Sequence, residues 1–337
     1  MEIAYSVPGK IGIHEKKDKT KPKTTDQDLP TLSAEDRLGL NFRIWLGRSL
    51  LATLLSQNDA AMSHTEKGNQ NARGSSRRVT TKTLQRMRRD GTAISMLTAY
   101  DYPTAEALDQ ADVDILLVGD SLAMVVQGHE TTLPVTMDQI IYHAEMVGRA
   151  ARRAMVVVDL PFPEGQLEIN RSLEASARVL KETQCHAVKL EGGAEQANRI
   201  EAIVTAGIPV MAHVGLRPQN VHVDGGYRIQ RQKDELIADA IAAEKAGAFC
   251  VLIECVPAEI GRAITQEVSV PTIGIGAGPH VCGQVLVTHD MIGFNSGYLP
   301  KFVRQFADVR SSIQQAANAY REAISSGEFP GKEESFE

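Results

Sequence analysis

From residue 91 onward, short β-branched apolar runs alternate with stretches whose apolar residues recur every three to four positions. The first pattern belongs to strands buried on both faces, the second to amphipathic helices. Strands are predicted at 94–98, 114–119, 154–159, 187–190, 209–212, 250–254, 271–275 and 291–294. Helices are predicted between them at 105–110, 137–152, 173–182, 195–205, 235–246 and 258–267, with a last one at 313–325. About eight strand-then-helix repeats fit a closed TIM (βα)8 barrel of the α/β class better than an open sheet. The strand placed at 291–294 has the fewest apolar residues.

Residues 1–90 break this pattern. They are rich in Lys, Thr, Ser, Asn and Gln, and only 38–55 carries helix-like apolar spacing, among arginines. A largely disordered extension (1–90) is therefore expected ahead of a catalytic domain (91–337). The run through Arg43, Trp45, Leu46, Arg48, Leu50 and Leu51 is basic and amphipathic. Read as a targeting segment, it would direct the protein to the mitochondrial matrix; read as a plain extension, it leaves a cytoplasmic protein.

Charge separates the two parts further. Residues 1–90 hold 17 Lys and Arg against 10 Asp and Glu, which leaves 19 against 32 in the remainder of a chain of net charge −6. An acidic body speaks against broad nucleic-acid binding, which needs a basic face. No apolar run approaches the roughly 20 residues that span a bilayer, so a soluble protein without membrane partners is expected. The four cysteines, Cys185, Cys250, Cys255 and Cys282, lack a metal-type CxxC spacing and read as reduced thiols.

The candidate chemistry lies where the strands stop. Asp120 follows DILLVG, Asp159 follows AMVVV, Glu191 follows AVKL, His213 follows IPVMA and Glu254 follows CVLI. In a parallel barrel these ends converge on the face where active sites form. One such carboxylate could be a turn or helix cap; several in succession would repel one another unless a cation or protons intervened. Asp120, Asp159 and Glu191 offer hard oxygen ligands, which favours Mg²⁺ over Zn²⁺, some directly and another through water. Lys189 shares a strand face with Glu191 and could pair with it or hold a substrate carboxylate. Glu254, between Ile253 and Cys255, should have a carboxyl pKa raised towards neutral, which suits a general base. GIGAGP (274–279) lacks both the dinucleotide spacing and the Walker lysine, and reads as a tight turn.

In order and spacing, the chain resembles the ketopantoate hydroxymethyltransferase family over about 91–336. The resemblance rests on TAYDYPTA (98–105), LLVGDSLAMVVQGHETTLPVTMD (116–138), VVDLPF (157–162), VKLEGG (188–193) and HVGLRPQ (213–219). It continues through GGY (225–227), LIECVP (252–257), IGIGAG (273–278) and PKF (300–302). It implies a barrel of the phosphoenolpyruvate/pyruvate type and a homo-oligomer. Mg²⁺ would be held by Asp120 and Asp159 with Glu191 close by through water. Ser121 and Lys189 would hold the oxo acid, with Asp120, Asp159 and His213 also on the substrate side, and Glu254 would be the base. The implied reaction transfers a hydroxymethyl group from 5,10-methylenetetrahydrofolate to 3-methyl-2-oxobutanoate through a Mg-stabilised enolate, giving 2-dehydropantoate for pantothenate biosynthesis. Two rivals stand beside it, a folate-independent carbon–carbon lyase or mutase on the same barrel and a catalytically silent binding protein.

Overall fold

The computed structural model describes residues 77–295 and 297–336; most of the expected extension, including the stretch around Trp45, lies outside them. The elements run α1 (Thr81–Arg89), β1 (Ile94–Thr98), α2 (Tyr102–Gln110), β2 (Ile115–Val118), the short α3 (Leu122–Val125), α4 (Met137–Ala150) and β3 (Met155–Asp159). They continue with α5 (Ile169–Glu182), β4 (Ala187–Glu191), α6 (Ala197–Thr205), β5 (Val210–Gly215), α7 (Lys233–Lys245), β6 (Cys250–Glu254) and α8 (Ala258–Glu267). The last are β7 (Thr272–Ile275), β8 (Gly283–Leu286), the one-turn α9 (Thr288–Met291) and α10 (Val309–Ser326). All eight strands are parallel, and β8 pairs with both β7 and β1, so the sheet closes into the expected barrel.

Alternation along the strands builds two apolar layers. Met96, Ile115, Leu117, Met155, Val157, Ala187, Met211, Cys250 and Leu252 fill the barrel interior. Their neighbours Leu116, Val118, Val156, Val158, Val188, Leu190, Val210 and Ala212 pack outward with residues of the helices. The same parity carries Asp159, Lys189, Glu191, His213 and Glu254 to the interior side, at the C-terminal ends of consecutive strands. No described helix is long and apolar enough to cross a membrane.

The eighth strand is not where the pattern placed it. Met291 ends α9, Ile292 and Gly293 form a turn and Phe294 and Asn295 are irregular, while β8 is Gly283–Leu286. Only Gly283 and Val285 of β8 are buried, and Gln284 is exposed. Seven residues separate β7 from β8, too few for a covering helix, so the outer face of β8 needs no apolar residue and its sequence reads as a loop.

Residues 77–90 fall on the extension side of the boundary expected at 91, yet they pack on the barrel. Thr80 and Thr83 cap α1 reciprocally, Leu84 is fully buried, and Arg88 bonds the carbonyls of Thr265, Val268 and Val270 below β7. A chain starting at 77 is therefore expected to unfold at the full-length midpoint. A chain starting at 91 loses a buried leucine and three bonds to one guanidinium, and should be destabilised by at least the ~2–5 kcal/mol typical of deleting a core leucine side chain. Denaturant titration of both truncations checks this; equal midpoints would show that α1 contributes nothing.

Candidate active site

Two close approaches shape the C-terminal face. Gly119 leaves room for its neighbours: a Cβ there would stand 3.5 Å from Asp159 Oδ2 and 2.9 Å from Ser121 Oγ. Gly215, at φ 96°, lets β5 approach β6 so closely that a Cβ would lie 2.2 Å from the Glu254 carbonyl oxygen. Immediately after Glu254 the backbone of Cys255 turns left-handed at φ 49°, rare for a residue with a Cβ. Its N–H is held by the Ile275 carbonyl at 2.9 Å.

Asp159 and Lys189 sit directly opposite each other in the β3–β4 register, which puts both on one face and brings Lys189 Nζ within 2.6 Å of Asp159 Oδ1. Lys189 therefore pairs with Asp159 rather than with Glu191 on its own strand. Burial works against its ammonium, but Asp159, Asp120 and Glu191 outweigh that and raise its pKa. The backbone N–H of Asp120 donates to Asp159 Oδ2 at 3.1 Å. Burial, then the nearby Asp159 charge, pushes the Asp120 carboxyl up to about 7. Glu191 is raised well above the ordinary range by burial and by Asp120.

Across the cavity stands Glu254, whose carboxyl burial raises to about 7 against the pull of Lys189. Its Oε2 lies 3.2 Å from His213 Nε2, but off the hydrogen-bond direction, so neither His213 ring nitrogen has a hydrogen-bond partner among the described residues. Burial and then Lys189 hold the imidazole far below its usual pKa, hence neutral. The cavity is lined by Asp120, Ser121, Asp159, Lys189, His213 and Glu254. Of the expected site residues only Glu191 stands behind this lining, 3% exposed.

Three further residues, without a signal in the sequence, belong to the site. Gln219, in a 3-10 turn after β5, donates Nε2 to Asp120 Oδ2 at 2.9 Å and to the Leu160 carbonyl at 3.0 Å. Its backbone N–H donates to Glu191 Oε2 at 3.1 Å, and its Oε1 accepts from Gln166 at 2.6 Å. Tyr100, 2% exposed, is 2.8 Å through its hydroxyl from Ser121 Oγ and fixes that side chain. Asp290 lines the cavity from α9. Gln219 and Tyr100 lie inside HVGLRPQ and TAYDYPTA, but nothing in those strings tells which polar residue turns inward. Asp290 was hidden by the misplaced eighth strand.

Residues 78–332 match the family model described as ketopantoate hydroxymethyltransferase. A 3-methyl-2-oxobutanoate hydroxymethyltransferase from Rhodopirellula baltica is 70% identical over 260 residues, covering 77% of this chain and 97% of the relative. One from Desulforapulum autotrophicum is 53% identical over 259 residues, covering 77% and 98%. Among solved structures, phosphonopyruvate hydrolase in complex with oxalate and Mg++ matches with a TM-score of 0.52 at 13% identity, over 75% of this chain and 92% of that one. Phosphoenolpyruvate phosphomutase from Streptomyces platensis subsp. rosaceus matches with a TM-score of 0.50 at 16% identity, over 72% and 88%. These two likenesses concern the barrel fold alone. With a family model spanning the whole described barrel and relatives matched over nearly their full length, the chain is an enzyme that belongs to the ketopantoate hydroxymethyltransferase family.

Proposed function

We propose that this cavity transfers a hydroxymethyl group from 5,10-methylenetetrahydrofolate to 3-methyl-2-oxobutanoate, giving 2-dehydropantoate through an enolate. The observation that carries the reading is the separation of carboxylates within one cavity. Asp120 and Asp159 adjoin each other and Lys189, while Glu254 lines the cavity from β6 with neutral His213 3.2 Å away. Such a split separates anchoring from proton abstraction.

The residues fit a magnesium ion. Among the described residues no three His, Cys, Asp or Glu side chains are grouped to hold a metal by themselves. Magnesium needs no such cage, because one or two carboxylates, water and substrate oxygens complete its shell. Protein donors hold the acids in place: Gln219 holds Asp120 Oδ2, the Gln219 N–H holds Glu191 Oε2, and Lys189 and the Asp120 N–H hold the two oxygens of Asp159. Glu191 Oε1 is buried without a hydrogen-bond partner, as a residue awaiting a bound water would be. Asp120 and Asp159 would hold the ion, which supplies a Lewis acid for charge on the keto oxygen.

The chain's own groups do the rest. Lys189 and the Ser121 hydroxyl, fixed by Tyr100, orient the oxo acid with C3 towards Glu254. Glu254 takes the C3 proton, and its pKa near neutrality lets it accept that proton and release it again. The C3 carbon then bonds to the methylene carbon of the folate, both C–N bonds of that methylene break, one water supplies the hydroxyl of the product, and the proton taken from C3 and the second water proton end on the two carrier nitrogens. Incubation with 3-methyl-2-oxobutanoate and Mg²⁺ in D₂O, followed by the carrier, tests both halves. Exchange at C3 and then carrier-dependent product are expected; product without the carrier would favour a lyase or mutase.

Gln219→Met keeps the size of the side chain and removes its donors, freeing Asp120 to turn away. Affinity for Mg²⁺ is expected to fall about 10- to 100-fold, the usual effect of losing a partner behind a metal ligand. Calorimetric titration without substrate measures it, and unchanged affinity would remove Gln219 from the site.

A further inference from the structure

Asp120, Asp159, Lys189, His213 and Glu254 come to the cavity from the ends of β2 to β6, an arc of five consecutive strands. In a closed ring of eight, β8 lies directly across from β4, and the chain leaving β8 brings Asp290 to the cavity on α9. Asp290 is 4% exposed. Its Oδ1 accepts from Asn295 Nδ2 at 2.5 Å, its one hydrogen-bond partner among the described residues. The cavity wall contributed by β7, β8 and the chain after them also includes Ile275, Val285, Val287 and Phe302, with Thr98 of β1 among the other lining residues.

Asn295 fills only part of what a carboxylate this buried can accept, which leaves it able to take further donors from the cavity. Burial raises its carboxyl pKa, and the Asn295 amide and His289 only partly oppose that. The oxo acid cannot be the partner, since it carries a carboxylate, a keto oxygen and an isopropyl group but no N–H or O–H donor, and it is itself an anion. The folate carrier is different. Its pyrimidinone ring is flat, can lie against apolar side chains, and presents a 2-amino group beside a ring N–H, two parallel donors spaced for the two oxygens of a carboxylate.

We infer that Asp290 binds the amino-pyrimidinone edge of the pterin, with Ile275, Val285, Val287 and Phe302 as its apolar cradle, so that the carrier enters from the β8 side and the oxo acid lies on the β2–β4 side. This rests on the folate reading above and deepens it by naming the carrier's subsite.

The test uses the full-length chain and Asp290→Asn, which retains an acceptor for Asn295 but loses the charge and the second acceptor. The KM for 5,10-methylenetetrahydrofolate is expected to rise about tenfold or more, because a site built for an N–H pair discriminates strongly once the pairing is lost. C3 exchange in D₂O without carrier, and the oxo-acid KM, should stay within about twofold, since neither involves the carrier. A second measurement needs no variant: wild-type enzyme should bind 2-desamino-2-methyl-tetrahydrofolate about tenfold or more weakly than tetrahydrofolate. An unchanged folate KM in Asp290→Asn, a parallel loss of exchange, or equal binding of the two carriers overturns the assignment while leaving the reaction in place. Wild-type turnover that ignores the carrier sinks the folate reading and this inference together.

Discussion

Replacing Glu254 with Gln is expected to slow exchange of the C3 proton by about 10²- to 10⁴-fold, the usual worth of a positioned general base. Binding of Mg²⁺ and of the oxo acid should persist, because the groups proposed to hold them, Asp120, Asp159, Lys189 and Ser121, lie on the other side of the cavity. The same substitution should make the folded state relatively more stable at alkaline pH. Glu254 titrates at about 7 when folded against an ordinary 4.5, because burial disfavours its charge. The folded state then holds the proton more tightly than the unfolded chain, so the stability Glu254 contributes is complete below its ordinary pKa and is lost as pH rises through about 7. Gln carries no such dependence. Urea unfolding of both proteins at pH 4.5, 6 and 8 should show the variant gaining on the wild type as pH rises. Exchange at the wild-type rate would disqualify Glu254 as the base and pass the role to His213, neutral and 3.2 Å away.

Lys189→Met should have the largest effect on stability of the single substitutions considered. Lys189 is 4% exposed, and its ammonium lies 2.6 Å from Asp159 Oδ1 among Asp120, Asp159 and Glu191. Methionine of similar length fills the space but leaves three buried acids without their cation. Breaking a buried ion pair from one side costs about 3–5 kcal/mol, because the stranded charge must be tolerated or protonated. Unfolding in EDTA at neutral pH measures the loss. Added Mg²⁺ should restore part of it by supplying positive charge at the same acids, and Lys189→Arg should lose less than Met. A midpoint in EDTA equal to that of the wild type would show that the acids are already protonated together and that Lys189 is not what balances them.

The strand ends were legible because a two-sided buried strand leaves a plain mark: AMVVV and CVLI have no polar position until the ionisable residue that follows. Parity along those strands also tells which side chains turn inward, and the structure places Asp159, Lys189, Glu191, His213 and Glu254 accordingly. The strand near 291–294 failed for the converse reason. β8 is short, carries exposed Gln284, and has no helix between it and β7, so the apolar signal of a covered strand is missing. Residues 77–90 looked like extension because α1 buries one leucine and otherwise shows Lys and Arg, whose guanidinium contacts with distant carbonyls leave no periodic trace.

By itself, then, the sequence determined the barrel, the face on which the strand-end ionisable groups gather and the strand residues that turn towards it, since all three follow from period-two burial and from where it stops. The tertiary structure decided the pairings. That Lys189 meets Asp159 and not Glu191 depends on the register between β3 and β4. That Gln219 fastens Asp120, 99 residues away along the chain, depends on how the turn after β5 folds over the lumen. That Asp290 faces the acids across the cavity depends on closure of β8 onto β1. Each is a contact between segments remote in sequence, and neither hydrophobic period nor local propensity carries information about which distant polar group a side chain will meet.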